Sequence, residues 1–122
     1  MDKVQKFIKN SHKLKYSDIL IHIQYIPKYI IRKYIKSNQF KYFEIGFIYQ
    51  YYYRNYKRMH EYYDKAIDDA NTLVQLGLYY QYINYNYKKM KEYFMKAVEL
   101  GNADAMHFLG YFYYYYSIKN QW

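Results

Sequence analysis

Histidine is the side chain in this sequence best suited to metal binding or proton transfer, because cysteine does not occur. The four histidines, His12, His22, His60 and His107, show no metal-ligand spacing with one another. A zinc site needs three or four convergent ligands. His60 also aligns with Lys91 in a second copy of the same sequence block, which indicates an exposed and replaceable position. We therefore predict no metal and no cofactor.

Catalytic carboxylates and nucleophiles are equally hard to place. Asp64, Asp68 and Asp69 form an acidic group at a predicted helix end, but Met95 replaces Asp64 in the second copy. Paired carboxylates that act as acid and base need a buried site, whereas we expect this group to face solvent. No Ser/His/acid set can be proposed, and every glycine is isolated, so no glycine-rich phosphate loop is present. The prediction is a protein that is not an enzyme and has no catalytic residues.

One sequence phrase, a pattern of apolar residues, glycine and tyrosine that occurs three times, predicts the helices that position the side chains. It reads Tyr42-x-x-Ile45-Gly46-x-x-Tyr49, then Leu73-x-x-Leu76-Gly77-x-x-Tyr80, then Met106-x-x-Leu109-Gly110-x-x-Tyr113. The glycines lie 31 and 33 residues apart, a period typical of stacked repeat units. Residues 46–67 and 77–98 also share 12 of 22 residues without a gap. Each unit is predicted to be a helix, a short turn (53–55 and 84–86) and a second helix.

The residues within and around this phrase predict how the helices begin, end and pack. Glycine inside a helix costs about 1 kcal/mol relative to alanine, so glycines at one repeated phase indicate close approach of the partner helix. Gly101 suits the left-handed position after a helix, and Asn102 suits the cap of the next one. Pro27 suits the first turn of a helix over 28–36.

Charge is distributed unevenly along this arrangement. The chain has 122 residues, 23 of them tyrosine, and a net charge of +9. Residues 1–45 carry ten Lys or Arg against three acids, and residues 46–122 carry nine against seven. A basic N-terminal third favours acidic partners, anionic membrane surfaces or nucleic acid, and it equally serves to keep an aromatic-rich chain soluble.

Neither export nor a membrane span is predicted. Lys3, Lys6 and Lys9 have no apolar run behind them, so no secretory signal is indicated. The most apolar stretch, 19–26, is too short to cross a bilayer. Because cysteine is absent, we expect an intracellular, reducing compartment.

The predicted organisation has two parts. Residues 1–37 form basic N-terminal helices: an amphipathic one over 1–16, another from Ser17 through Ile26, and a degenerate repeat half over 28–36. Residues 38–122 hold the repeats, with units over 38–69 and 70–102 and a half repeat over 103–116.

The repeats resemble the tetratricopeptide superfamily, and most closely its Sel-like branch. Tyr93-x-x-Lys96-Ala97-x-Glu99-x-Gly101-Asn102-Ala103-Asp104-Ala105-Met106-x-x-Leu109-Gly110-x-x-Tyr113 is similar to that branch's joint between repeats. The resemblance covers about 38–116. Sel-like units usually run longer and carry glycine in the turn between their helices, which this chain lacks. Short tyrosine- and asparagine-rich units are similar to those of giant-virus repeat proteins, and for a viral protein we expect the host cytoplasm.

The resemblance implies an all-α fold, a right-handed α-α superhelix (solenoid) of stacked helix-turn-helix repeats. It also implies a non-enzymatic scaffold or adaptor that binds a protein or peptide partner on a concave aromatic groove. In that groove the Gln50 and Gln81 amides are suited to hold a peptide backbone, and the alternative is that they are solvated polar positions in a recent duplication. The implied partner-binding positions are Phe43, Phe47, Gln50, Tyr51, Val74, Leu78, Gln81, Tyr82, His107, Tyr111, Tyr114 and Tyr115.

Two alternative functions remain open. One is nucleic-acid binding through the basic N-terminal third with tyrosine stacking, although the charge and the aromatic residues concentrate in different parts of the sequence. The other is a self-assembling structural fragment. The last helix, followed by Ser117 to Trp122, has no second helix to cover it, and solenoids need capping repeats.

Overall fold

The structure, a computed structural model, describes residues 23–120. All regular backbone in this range is helical, so the all-α prediction is confirmed. The helices are α1 (Lys28–Lys36), α2 (Tyr42–Ile48), α3 (Tyr56–Asp64), α4 (Ala70–Tyr82), α5 (Tyr87–Glu99) and α6 (Ala103–Asn120). The chain divides between Lys65 and Ala66 into two compact units. Helices α1–α3 belong to unit 1 and α4–α6 to unit 2.

The first described helix, α1, agrees with the prediction. It begins directly after Pro27 and ends at Lys36, because proline is pre-organised for the start of a helix. Its Ile31 and Ile35 are buried in a core that also contains Phe40 and Ile45. The helix predicted over 1–16 lies outside the described residues. The helix predicted to run through Ile26 ends earlier, since residues 24–26 form a turn.

The two predicted turns between paired helices share a left-handed residue followed by a capping asparagine. Arg54 and Tyr85 occupy equivalent positions, and both have a left-handed backbone, with φ of 53° and 60°. The next residue is asparagine in each copy. Asn55 Oδ1 accepts a hydrogen bond from the Arg58 backbone N–H at 3.1 Å, and Asn86 Oδ1 accepts one from Lys89 at 3.1 Å. Each asparagine therefore caps the helix that follows it.

The predicted joint before α6 is also confirmed. Gly101 has a φ of 82°, which an L side chain rarely adopts. The next residue, Asn102, accepts a hydrogen bond at Oδ1 from the Ala105 backbone N–H at 2.9 Å. Gly101 therefore lies just after the C-terminal end of α5, and Asn102 caps the N-terminal end of α6.

Close helix approach explains two of the three repeated glycines. A Cβ added at Gly46 would lie less than 3.0 Å from the Tyr63 ring, and one at Gly77 would lie equally close to the Phe94 ring. Helix α2 thus packs against α3, and α4 against α5, through a glycine that leaves room for an aromatic ring. A Cβ added at Gly110 would meet nothing within 4 Å among residues 23–120, so in the described part of the chain the prediction does not hold for the third copy.

The end of α2 differs from the end of α4. Residues Tyr49–Tyr53 continue α2 as a π-helical turn, whereas α4 remains α-helical to Tyr82. The Tyr52 hydroxyl donates to the Ile26 carbonyl at 2.7 Å, and the Tyr53 hydroxyl donates to the Lys28 carbonyl at 2.8 Å. The equivalent residues in unit 2 are Ile83 and Asn84, which have no phenol. The π-helical turn was not predicted.

Candidate functional site

The predicted partner-binding positions of unit 1 lie mostly in the interior. Phe43 and Phe47 are buried, and the Phe43 ring stacks on Tyr63 with 6.0 Å between ring centroids. Gln50 is only 5% exposed, and its Oε1 accepts a hydrogen bond from the Tyr63 hydroxyl. This amide therefore serves the packing of α2 on α3. Tyr51 is the most exposed of these four residues, with 37% of its surface accessible. Its hydroxyl is nevertheless buried, and this burial raises the pKa of Tyr51 to about 12.

The equivalent positions of unit 2 are graded from interior to surface. Val74 is buried, Leu78 and Gln81 are half-buried, and Tyr82 is 59% exposed. Gln81 Oε1 is buried and has no hydrogen-bond partner among the described residues. Phe94 occupies the place that Tyr63 has in unit 1, so the hydroxyl that would donate to this amide is missing.

The predicted positions on α6 are all exposed and lie next to one another. Ring centroids are 6.5 Å apart for His107 and Tyr111, and 4.5 Å apart for Tyr111 and Tyr115. Tyr114 meets Tyr115 edge-on at 5.9 Å. A hydrogen bond with Tyr115 is the main cause that raises the pKa of Tyr111. A smaller electrostatic effect of Tyr82, at the end of α4, also raises it, and we group this exposed residue with the α6 tyrosines.

We define the unit 2 aromatic surface as Tyr82, His107, Tyr111, Tyr114 and Tyr115. Sequence reasoning placed all five on the binding face, but it missed the exposed apolar side chains beside them. These are Met106, Tyr113 and Tyr116. The signal was available: apolar residues occur all round α6 instead of along one stripe. A helix that is apolar on every side is normally buried, whereas much of α6 is exposed.

The structure also joins two features that the sequence keeps apart. Lys28 and Arg32, from the basic N-terminal third, lie over the ring of Tyr53 at 5.8 and 5.6 Å from its centroid. These residues line a cleft of unit 1 together with other basic and tyrosine side chains. The argument that charge and aromatic residues lie in different places is therefore wrong for this part of unit 1.

The described part of the chain has neither a metal-ligand cluster nor a membrane-spanning helix. Between residues 23 and 120, no three His, Asp or Glu side chains are grouped so that they could hold a metal ion. Over the same range, no helix combines the length and the apolar character that crossing a membrane requires.

Comparison with known proteins leaves the family undecided. No protein-family model matches this chain, and neither the curated proteins nor the solved structures give a match. The resemblance to Sel-like and tetratricopeptide repeats thus stays a prediction that the residues alone support.

Proposed function

We propose that this protein is a non-enzymatic helical-repeat module of the right-handed superhelical type, and that it binds a protein or peptide through the unit 2 aromatic surface. The exposure of α6 carries the proposal, since Met106 and five tyrosines of this helix are each about half exposed. Large exposed apolar patches usually mark interaction sites. Tyrosine is enriched at protein interfaces because it offers apolar area together with a hydroxyl.

The charge of this surface favours an uncharged partner segment. Helix α6 has a single acid, Asp104, in its first turn, and no Lys or Arg before Lys119. One cation adjoins the helix, since Lys91 of α5 lies 5.2 Å from the centroid of the Tyr113 ring. Contacts with residues 105–118 therefore depend mainly on apolar burial and on hydrogen bonds to tyrosine hydroxyls. We expect binding that changes little with salt, because surface ion pairs are what salt weakens.

Peptide selection tests this proposal. The full chain is immobilised, peptides are selected from a random library, and the affinity of the best peptide is measured by fluorescence anisotropy. The double variant Tyr82→Ala, Tyr115→Ala should weaken binding by about tenfold or more, the effect of losing an aromatic anchor. Tyr29→Ala is the matched control, because Tyr29 is 72% exposed but lies on α1; it should leave the affinity within about twofold.

Two results would contradict the proposal. One is a selected peptide whose affinity is the same for the double variant and the control. The other is a chain that selects no peptide but forms oligomers by light scattering, with assembly lost in the double variant. That second result would assign the surface to self-association, the structural alternative.

A further inference from the structure

Unit 1 contains a cleft of about 570 Å³ bounded by α1, the π-helical turn and α3. This volume lies in the range of sites for small ligands in proteins. Its walls combine basic side chains and tyrosine rings, with Ile35 and Asn55 completing the lining. We call it the unit 1 cleft, and it is separate from the unit 2 aromatic surface.

The charge of the unit 1 cleft is positive. Four basic side chains line it, Lys28, Arg32, Lys36 and Arg58, and the described lining includes no acid. A spacing of four places the first three on one stripe of α1. Glu61 pairs with Arg58 at 3.1 Å and offsets its charge, so the net positive charge of the cleft comes from the three cations of α1. The cleft therefore favours an anion.

The tyrosines of the cleft form flat apolar faces beside these cations. Tyr49 and Tyr62 stack with an interplanar angle of 15° and 5.7 Å between centroids. The ring centroids of Tyr53 and Tyr49 lie 5.3 Å apart. Burial raises the pKa of Tyr49, and it raises the pKa of Tyr53 to about 12. At neutral pH both hydroxyls keep their protons, so the rings add no negative charge to the cleft.

The π-helical turn places these rings next to α1. The Tyr53 hydroxyl donates to the backbone carbonyl of Lys28, which fixes the ring beside the first cation of the stripe. Short π-helical segments inside α-helices occur frequently at functional sites. Unit 2 repeats the sequence around this turn but has Asn84 in the place of Tyr53, so the arrangement belongs to unit 1 alone among the two copies.

We propose that the unit 1 cleft binds a nucleotide of single-stranded nucleic acid. The basic stripe of α1 contacts the phosphate, and the base packs against the tyrosine rings that line the cleft, Tyr49, Tyr53 and Tyr62. Proteins that bind single strands combine these two components, a positive groove and aromatic stacking faces. A phosphopeptide would use the cations and leave the rings without a planar partner, so the rings favour a nucleotide.

Anisotropy of a fluorescent oligothymidylate of about twelve nucleotides tests the proposal. The double variant Arg32→Gln, Lys36→Gln should raise the dissociation constant about tenfold or more and flatten its dependence on salt, because fewer counterions are released. Lys33→Gln with Lys57→Gln is the matched control: it removes the same charge from exposed positions of α1 and α3 that do not line the cleft. The control should change the constant less than threefold.

An abasic oligonucleotide of the same length tests the rings without any substitution. It keeps the phosphates and lacks the bases, so it should bind about tenfold more weakly than oligothymidylate. Equal binding of the two strands would assign the cleft to phosphate groups in general, and a phosphopeptide that competes as well as the oligonucleotide would do the same. Equal weakening by the cleft pair and the control pair, or no binding at low salt, would overturn the site itself.

Discussion

The two copies of the repeated block, residues 46–67 and 77–98, agree in their backbone caps and differ in what they expose. The first copy lies in unit 1 up to Lys65, and the second lies in unit 2. Shared residues build the shared parts: Gly46 and Gly77 admit a ring, and Asn55 and Asn86 cap a helix. Unshared residues build the differences. The Tyr53 hydroxyl donates to the Lys28 carbonyl, whereas Asn84 at the equivalent position has no phenol. The Tyr63 hydroxyl donates to the Gln50 amide, whereas Phe94 has no hydroxyl to donate to Gln81. The duplication conserves packing while its unshared positions create separate surfaces.

The largest effect should come from the glycines that the two copies share. Gly46→Ala and Gly77→Ala each place a methyl group against an aromatic ring, and overpacking of this kind lowers the free energy of unfolding by about 1–3 kcal/mol. Gly110→Ala is the control, because none of the described residues lies within 4 Å of its added Cβ. It should raise the free energy of unfolding by up to about 1 kcal/mol through helix propensity alone. Urea unfolding followed by circular dichroism measures all three.

Equal destabilisation at all three glycines would contradict the packing explanation. It would mean that the third phrase packs like the first two, against a part of the chain outside the described residues. An unchanged stability at Gly46 and Gly77 would show instead that the rings of Tyr63 and Phe94 can move aside.

The next effect concerns the aromatic residue that differs between the copies. Tyr63→Phe removes the donor to Gln50 Oε1 and should lower the free energy of unfolding by about 1–2 kcal/mol. Phe94→Tyr introduces a hydroxyl at the equivalent place, where Gln81 Oε1 is buried and no described residue gives it a hydrogen-bond partner. It should raise the free energy of unfolding by about 0.5–1.5 kcal/mol.

The opposite signs of these two variants are the sharp part of the prediction. Each changes one oxygen atom at the same position of the repeat, so each serves as the control for the other. If Phe94→Tyr destabilises the chain, the two copies pack differently around this ring, and the comparison between them fails at this point.

Local rules account for what the sequence predicted well. Asn102 was predicted to cap α6, and it acts on a backbone N–H three residues away, so the amino-acid type and its neighbours are sufficient. Asn55 and Asn86, which the sequence placed only in the predicted turns, cap α3 and α5 in the same way. Gly46 and Gly77 were interpretable because a helical glycine that recurs at one phase needs a packing reason. These features depend on short stretches of chain, and repetition made them visible.

Contacts between distant residues account for what the sequence could not predict. The π-helical turn is held by Tyr52 and Tyr53 hydroxyls that reach carbonyls 26 and 25 residues away. No periodicity indicates which of 23 tyrosines makes such a contact. The inward orientation of Gln50 has the same origin, since its partner Tyr63 lies on the next helix. The same contacts form the unit 1 cleft, because they bring the tyrosine rings next to the cations of α1. The sequence had placed these cations and rings in different parts of the chain.

The smallest predicted effect on stability comes from the tyrosines of the π-helical turn, and it appears only at high pH. It is a further difference between the two copies. Burial raises the pKa of both Tyr51 and Tyr53 from 10.0 to about 12. In the unfolded chain these hydroxyls lose their protons near pH 10, whereas the folded chain retains them to about pH 12. The unfolded state then binds fewer protons, so the free energy of unfolding falls as the pH rises through this window and is unaffected below it.

Tyr51→Phe has no phenol proton to lose, and its stability should fall less steeply between pH 10 and 12. Parallel curves for the variant and the unsubstituted chain would show that Tyr51 ionises as readily in the folded state as in the unfolded one, and that the turn encloses its tyrosines less closely than the structure indicates.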